Sequence, residues 1–400
     1  MLKPLLVKEG INWVGSLDFD IRVFDIIMET ENGTTYNSYV VQGSEKTALV
    51  EVCKEGFFDE FLERLKGVTD PASIDYVVLD HTEPDHTGSL HRLLDICPNA
   101  TLVATNTALR FIKEILNKEA KSLAVKEGDT LELGGKTLTF IPAPLLHWPD
   151  TMFTYIPQDK VLFTCDSFGC HYASEEVFND LIKGDFYDSY KYYFDAIMGP
   201  FKPSVQAGLK KIEGLEIEMI LNGHGPVIRK DPEKYLEYYR QWSKPHKNEP
   251  PLAVVAYVTA YGYTRQLAES ITSGIKSAGN IDVKVFDLVK DGDKEARATI
   301  EASDGFLLGS PTLVGEALPP ILQILAWINP IIHKGKLAGA FGSFGWSGEA
   351  VPNLEARLKQ LKFKVPVPGL RVQFKPTDAQ LEEAVQYGAA FGKALLESRA

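Results

Sequence analysis

Cysteine is scarce: Cys53, Cys97, Cys165 and Cys170 are the only four in 400 residues, and no two form a C-x-x-C pair. A disulfide scaffold and a four-thiolate zinc or iron site are thereby set aside. Unbroken apolar runs are missing too. The greasiest stretch, Gly305 to Trp346, is interrupted by Glu316, Pro319, Pro320, Gln323, Asn329 and Pro330. A membrane helix takes about 18 or more apolar residues in a row. Positive charge is not in excess, the balance being −12, which argues against a nucleic-acid partner, since that asks for a basic stripe. The opening MLKPLLVKEGINWVG has neither the apolar core nor the small-residue cleavage site of a secretory leader. A cytoplasmic protein with no membrane span is therefore expected.

What is present is ordinary in bulk, with 44% hydrophobic and 24% charged residues, the composition of a soluble globular chain. Four hundred residues exceed what one core usually organises, so two domains are expected. Charge divides unevenly between them. Residues 250–400 hold 16 basic and 15 acidic side chains, leaving 26 and 39 for the first 249. Between the two lies Ser243-Lys-Pro-His-Lys-Asn-Glu-Pro-Pro251, polar and rich in proline, which reads as a linker. The boundary is placed near Asn248, giving domains 1–248 and 249–400.

The first part shows strand patterns at Tyr36–Val41, Lys46–Glu51, Ile74–Asp80, Thr101–Ala104, Thr130–Pro142, Met152–Ile156, Val161–Cys165 and Glu218–Leu221. Helix is expected over Phe57–Leu65, from Ser174 to Lys211 and over Pro232–Trp242. Two packed sheets covered by helices would accommodate that order. The second part alternates strand and helix: Leu252–Val258, Thr264–Ser277, Val283–Asp287, Gly305–Gly309, Pro319–Trp327, Lys336–Gly342, Glu349–Leu361 and Asp378–Glu397. That is the rhythm of an open, doubly wound parallel sheet. The fold class is α/β throughout.

Eight histidines are available, and four of them join an acidic constellation. His81-Thr-Glu83-Pro-Asp85-His86 directly follows a buried strand and packs four potential ligands into six residues. His147, Asp166 and His224 each follow a strand or sit in a Gly/Pro turn, where folds present chemistry. His91, His246 and His333 read as capped or solvated loop residues. His171, five residues after Asp166, reads as a hydrogen-bond donor behind the ligands.

Three loops of the second part suit a phosphorylated planar ring. Thr259-Ala260-Tyr261-Gly262-Tyr263-Thr264 opens a helix whose N-terminal N–H groups would face a phosphate monoester. Pro311-Thr312-Leu313-Val314-Gly315 and Ser343-Phe344-Gly345-Trp346-Ser347-Gly348 follow the third and fourth strands, on the side where open α/β sheets bind ligands. Their glycines allow backbone to approach a flat ring, and Trp346 offers a stacking face. No Gly-Lys-Ser/Thr follows the first loop, so it is not a P-loop. The phosphate contacts rest foremost on Thr259, Gly262 and Thr264.

The run H-x-E-x-D-H with distant His, Asp and His resembles the flavodiiron proteins, and the loops of the second half resemble a short-chain flavodoxin. The resemblance spans essentially the whole chain. It implies a metallo-β-lactamase-like αββα sandwich followed by a flavodoxin-like doubly wound sheet. It places His81, Glu83 and His147 on one iron, Asp85, His86 and His224 on the other, with Asp166 bridging. In the hydrolase version of that fold, which binds zinc, a histidine stands where this chain has Glu83. Hard carboxylate oxygens favour iron over an all-nitrogen zinc site. FMN is implied as the second cofactor, and reduction of dioxygen to water or nitric oxide to nitrous oxide as the activity. Tyr193 resembles a position close to the irons and, with His171, is the candidate catalytic residue, while Trp148 and Tyr172 are further candidates for shaping a gas pocket or donating protons. Several relatives carry a histidine in the segment matching residues 21–27, where this chain offers Asp25. The resemblance further implies a separate electron donor, rubredoxin or reduced deazaflavin, and a head-to-tail homodimer or dimer of dimers. Two rival readings remain: a dizinc hydrolase fused to a flavodoxin domain, and an electron carrier with a structural or sensor module.

Overall fold

The computed structural model describes residues 3–25, 28–245, 247–330 and 333–399. Two compact units are formed, Met1–Pro245 and His246–Ala400, and their junction lies inside the proline-rich segment. His246 itself is outside the described residues.

In the first unit a seven-stranded sheet takes the order Leu5–Lys8, Ile11–Trp13, Tyr39–Gln42, Thr47–Val50, Tyr76–Val78, Thr101–Thr105, Ser122–Val125. A five-stranded sheet follows in chain order: Thr130–Glu132, Thr137–Pro142, Met152–Ile156, Val161–Cys165, Met219–Asn222. Side chains alternate across each strand, so the inner strands of both sheets serve two cores. Tyr39, Val41, Ala48, Val50, Val78 and Val103 point inward with Phe140, Met152, Val161, Phe163 and Leu221, filling the space between the sheets. Val40, Leu49, Val77, Leu102, Phe153, Leu162 and Ile220 point outward beneath the helices. This is the four-layer α/β/β/α arrangement.

Between Ser174 and Tyr187 the expected helix does not form. Phe178 bridges instead to Val227, and Ser174 and Asp185 accept nearby backbone N–H groups at 3.1 and 2.9 Å. Such local bonds compete with helix formation. Helices then run over Tyr187–Tyr193 and Lys202–Lys211, joined by a π turn at Phe194–Met198 and a 3-10 turn at Gly199–Phe201. The sequence reading also passed over the helix Asn106–Leu116. Its Thr105 cap accepts the Ala108 N–H at 3.1 Å.

The second unit is a parallel five-stranded sheet in the order Asp282–Asp287, Leu252–Tyr257, Gly305–Gly309, Leu337–Phe344, Leu370–Gln373. Ala253, Val255, Leu307 and Phe341 pack on the helices Tyr263–Ser277 and Asp378–Glu397. Val254, Ala256, Phe306, Leu308 and Ala340 pack on Lys294–Ala302, Pro319–Trp327 and Ala350–Gln360. The helix Asp378–Glu397 starts with a reciprocal capping box between Thr377 and Gln380. The order in which strands are added reverses between Leu252–Tyr257 and Gly305–Gly309, which opens a crevice at the carboxyl ends of these parallel strands.

Candidate functional site

His81 lies just beyond the strand Tyr76–Val78, and Pro84 begins the short helix Pro84–Thr87. Proline suits the first helical turn because its missing N–H would be unsatisfied there anyway. That turn aims Glu83, Asp85 and His86 toward the ends of the second sheet, which supplies Asp166 after Val161–Cys165 and His224 after Met219–Asn222. Gly223 is required beside them, since a Cβ there would stand 2.7 Å from His86 Cε1.

The seven side chains named above come together in two sets. In the first, His147 Nε2 is 3.0 Å from Glu83 Oε2 and 2.9 Å from Asp166 Oδ2, while His81 Nε2 is 3.1 Å from Glu83 Oε2. In the second, His224 Nε2 is 3.0 Å from Asp85 Oδ2, and His86 Nε2 is 2.8 Å from Asp166 Oδ1. Asp166 thus presents one oxygen to each set. Neither Asp85 oxygen receives an aligned hydrogen bond although both are buried. Donor atoms that face one another without aligned protons have the arrangement of metal ligands.

Opposite charges control the protonation of the cluster. Burial alone would lower the His81 imidazole, but Asp150, Glu83 and Asp166 raise it to about 10. Burial opposes ionisation of Asp85 as well, and the adjacent His86 and His224 still hold its carboxyl down to about 2. Asp166 is driven well below the usual carboxylate range, its burial outweighed by His86 and His147. The site stabilises anionic oxygens beside nitrogen donors, which is the donor set two divalent cations require.

Behind three of the imidazoles stand acceptors that the sequence reading missed. Asp150 Oδ2 is 3.4 Å from His81 Nδ1, Glu51 Oε2 is 3.3 Å from His86 Nδ1, and the Thr35 carbonyl accepts from His224 Nδ1 at 2.6 Å. Outer partners of this kind hold a ligating ring in one tautomer. His171 is not among them. Its Nδ1 pairs with the Thr34 hydroxyl at 2.9 Å, its Nε2 has no partner, and it makes no hydrogen bond to any of the seven. Burial, then the His224 charge, pushes it down to about 3. Tyr193 is buried with its hydroxyl unpartnered, its ring 4.8 Å from that of His171.

A cavity of about 450 Å³ opens on Glu83 and Asp85, walled by Ile21, Val23, Phe24, Asp25, Lys54 and Glu55. Trp148, Tyr172 and Tyr193 do not line it. Trp148 lies instead with its ring 5.2 Å from that of His81, and Tyr172 packs at 5.9 Å on Phe186. Asp25 is pushed up to about 6 by its own burial and then by Glu83 and Asp85. His91 is exposed and faces Glu55 at 3.7 Å. His333 departs from expectation: it is buried, not solvated.

In the second unit a cavity of about 500 Å³ lies at the carboxyl ends of the strands. Its walls are Ala260, Tyr261 and Tyr263 from the first loop, Pro311 to Gly315 from the second, and Ser343 to Ser347 from the third. Glu349 and Phe374, absent from the sequence reading, complete it. Thr259, Gly262, Thr264 and Gly348 do not line it. They frame it instead: the Thr259 hydroxyl accepts the Gly262 N–H at 3.0 Å, and Gly262 takes φ +83° to start the helix. Thr264 is buried with its hydroxyl 2.9 Å from that of Ser343. Tyr261, Val314 and Trp346 are 81, 99 and 90% exposed around the mouth. An aromatic, mostly apolar crevice above a helix N-terminus fits a flavin mononucleotide.

Residues 34–225 match the family described as ODP family beta lactamase, and residues 255–388 match Flavodoxin. Over 98% of its length the chain is 41% identical to the flavo-diiron protein FprA2 of Clostridium acetobutylicum, whose whole length is covered. The chain belongs to the flavodiiron family. A relative named nitric oxide reductase, from Moorella thermoacetica, is 36% identical over 97% of this chain and 98% of its own. Rubredoxin oxygen:oxidoreductase from Desulfovibrio gigas superposes over all of both chains with a TM-score of 0.73 at 28% identity. The paired sheets and the parallel sheet are thus the two halves of one flavodiiron architecture.

Proposed function

We propose that this chain is an oxidoreductase that reduces dioxygen to water, nitric oxide to nitrous oxide, or both. The observation that carries the reading is Asp166, whose two oxygens face separate histidine–carboxylate sets. Metal chemistry is assigned to residues 1–248 and flavin chemistry to residues 249–400. One ion would be held by His81, Glu83 and His147, the other by Asp85, His86 and His224, and Asp166 would serve both. When bound, the iron pair and FMN together supply four electrons, the count that dioxygen requires, whereas two nitric oxides require two.

The chain's own residues do the rest. Glu83 and Asp85 offer anionic oxygens at the floor of the cavity, while Ile21, Val23 and Phe24 give it an apolar wall suited to a small uncharged gas. Lys54 is the sole cation among the described lining residues, and its ammonium donates to the Tyr36 hydroxyl at 3.2 Å. Tyr36 packs edge-on to His224, with ring centres 5.9 Å apart. In the second unit the N–H groups at the start of Tyr263–Ser277 would hold the phosphate of FMN, and Trp346 and Tyr261, at the mouth of the crevice, would cover its ring.

Electrons are assigned to a separate donor, rubredoxin or a reduced deazaflavin. A rubredoxin is small and acidic, so the near-neutral residues 250–400 favour docking there over the acidic first part. A head-to-tail homodimer, or a dimer of dimers, in the cytoplasm completes the assignment. Among the described residues no helix is long and apolar enough to cross a membrane. Anaerobic single-turnover kinetics of the fully reduced protein, mixed separately with each gas, test the function. Rapid reoxidation by at least one gas is expected. Inertness toward both, with iron and FMN fully loaded, would refute it.

A further inference from the structure

Glu51 lies behind the metal centre without belonging to either ligand set. It follows the strand Thr47–Val50 with backbone in the left-handed region at φ +62°, and it is only 2% exposed. Its Oε1 accepts the Asp80 backbone N–H at 2.6 Å. Its Oε2 lies 3.3 Å from His86 Nδ1 without an aligned hydrogen bond, and among the described residues that buried oxygen has no other hydrogen-bond partner. Cys165 Sγ closes the same corner at 3.7 Å from that nitrogen. A buried carboxylate is costly unless it is paired, and left-handed backbone is uncommon for a side chain such as glutamate. Residues that retain such penalties cluster where structure serves function.

We infer that Glu51 is a positioning residue of the metal centre. Its carboxylate holds the proton of His86 on Nδ1 and so turns Nε2 toward the ion shared with Asp85, His224 and Asp166. The inference rests on the proposed reading of His86 as a ligand. Outer support is unequal across the four imidazoles. Carboxylates stand behind His81 and His86, a carbonyl stands behind His224, and nothing among the described residues bonds to His147 Nδ1.

Glu51→Gln separates the two contacts, because a carboxamide oxygen can still accept from Asp80 while its NH₂ opposes His86 Nδ1. The iron-loaded, FMN-containing variant should bind one of its two ferrous ions roughly 10–100-fold more weakly in chelator competition. Only one of the two Mössbauer doublets should change, and FMN affinity should not. In a His86→Asn background the same substitution should add nothing. Unchanged iron affinity and doublets in Glu51→Gln would overturn the inference, as would an equal loss in the His86→Asn background, which would mean that Glu51 acts only through Asp80. If His86→Asn alone leaves both irons unaltered, the ligand reading fails instead. Should Glu51→Gln not fold, nitrogen NMR of the zinc-loaded native chain decides. A slowly exchanging Nδ1–H at His86 supports the inference, and an Nδ1 without a proton overturns it.

Discussion

The two units solve opposite problems. The metal-facing site gathers charge: His81, Asp85, His86, Asp166 and His224 are all buried, and each carboxylate lies against an imidazole. The flavin-facing site gathers almost none. Its rim is formed by Tyr261, Val314 and Trp346, all more than 80% exposed, and by backbone at strand ends. Buried charge survives only when paired, so the first site needs many exact partners and tolerates few changes. Apolar surface needs only area and shape, so the second can lose one contact and keep its ligand.

Removing the shared ligand should break this contrast most sharply. Asp166→Ala deletes the group that faces both sets, and both irons are expected to be lost while FMN absorbance persists; metal analysis beside the flavin spectrum checks it. Retention of two irons would show that Asp166 is not shared.

Acid sensitivity offers a second comparison, since it arises in the flavin unit from a residue remote from the ligand. Burial, then Lys336, pushes His333 from 6.5 down to about 4. The fold therefore favours the neutral ring, and its contribution is complete above pH 6.5 and lost as pH falls toward 4. At about 1.4 kcal/mol per unit this reaches at most about 3 kcal/mol, and less where water reaches the ring. Hydrogen-exchange protection in the strand Leu337–Phe344, referred to the intrinsic exchange rate at each pH, should fall through that window in the native chain, and His333→Leu should flatten the dependence.

The smallest effect is expected at the rim. Trp346→Ala removes one stacking face, and FMN should bind roughly 10-fold more weakly with iron content unchanged. An equal loss of iron would mean that the two sites are not separable.

The sequence made the ligands readable because chemistry was concentrated there. Four donor groups in His81–His86 after a valine-rich strand have few other uses, and the structure brings them beside His147, Asp166 and His224. Strands such as Met152–Ile156 and Val161–Cys165, and helices such as Pro319–Trp327 and Asp378–Glu397, were bounded by turn residues and periodicity. Glu51, Asp150 and the Thr35 carbonyl were invisible for a physical reason. An outer partner is defined by what it faces across the fold, and a lone acidic residue or a backbone oxygen has no local pattern. Phe374 reaches the flavin cavity from beyond the last strand, and nothing in its neighbours marks it. His333 looked solvated because Lys334-Gly335-Lys336 follows it, yet it is buried in the fold.

The central claim is that two irons are held by two unlike ligand sets joined through one carboxylate. Mössbauer spectroscopy of the iron-57-loaded chain, oxidised and then reduced, tests it directly. Two iron sites in equal amounts, magnetically coupled when oxidised, are the predicted result. Uncoupled iron, or full activity with zinc alone in the site, would contradict the account.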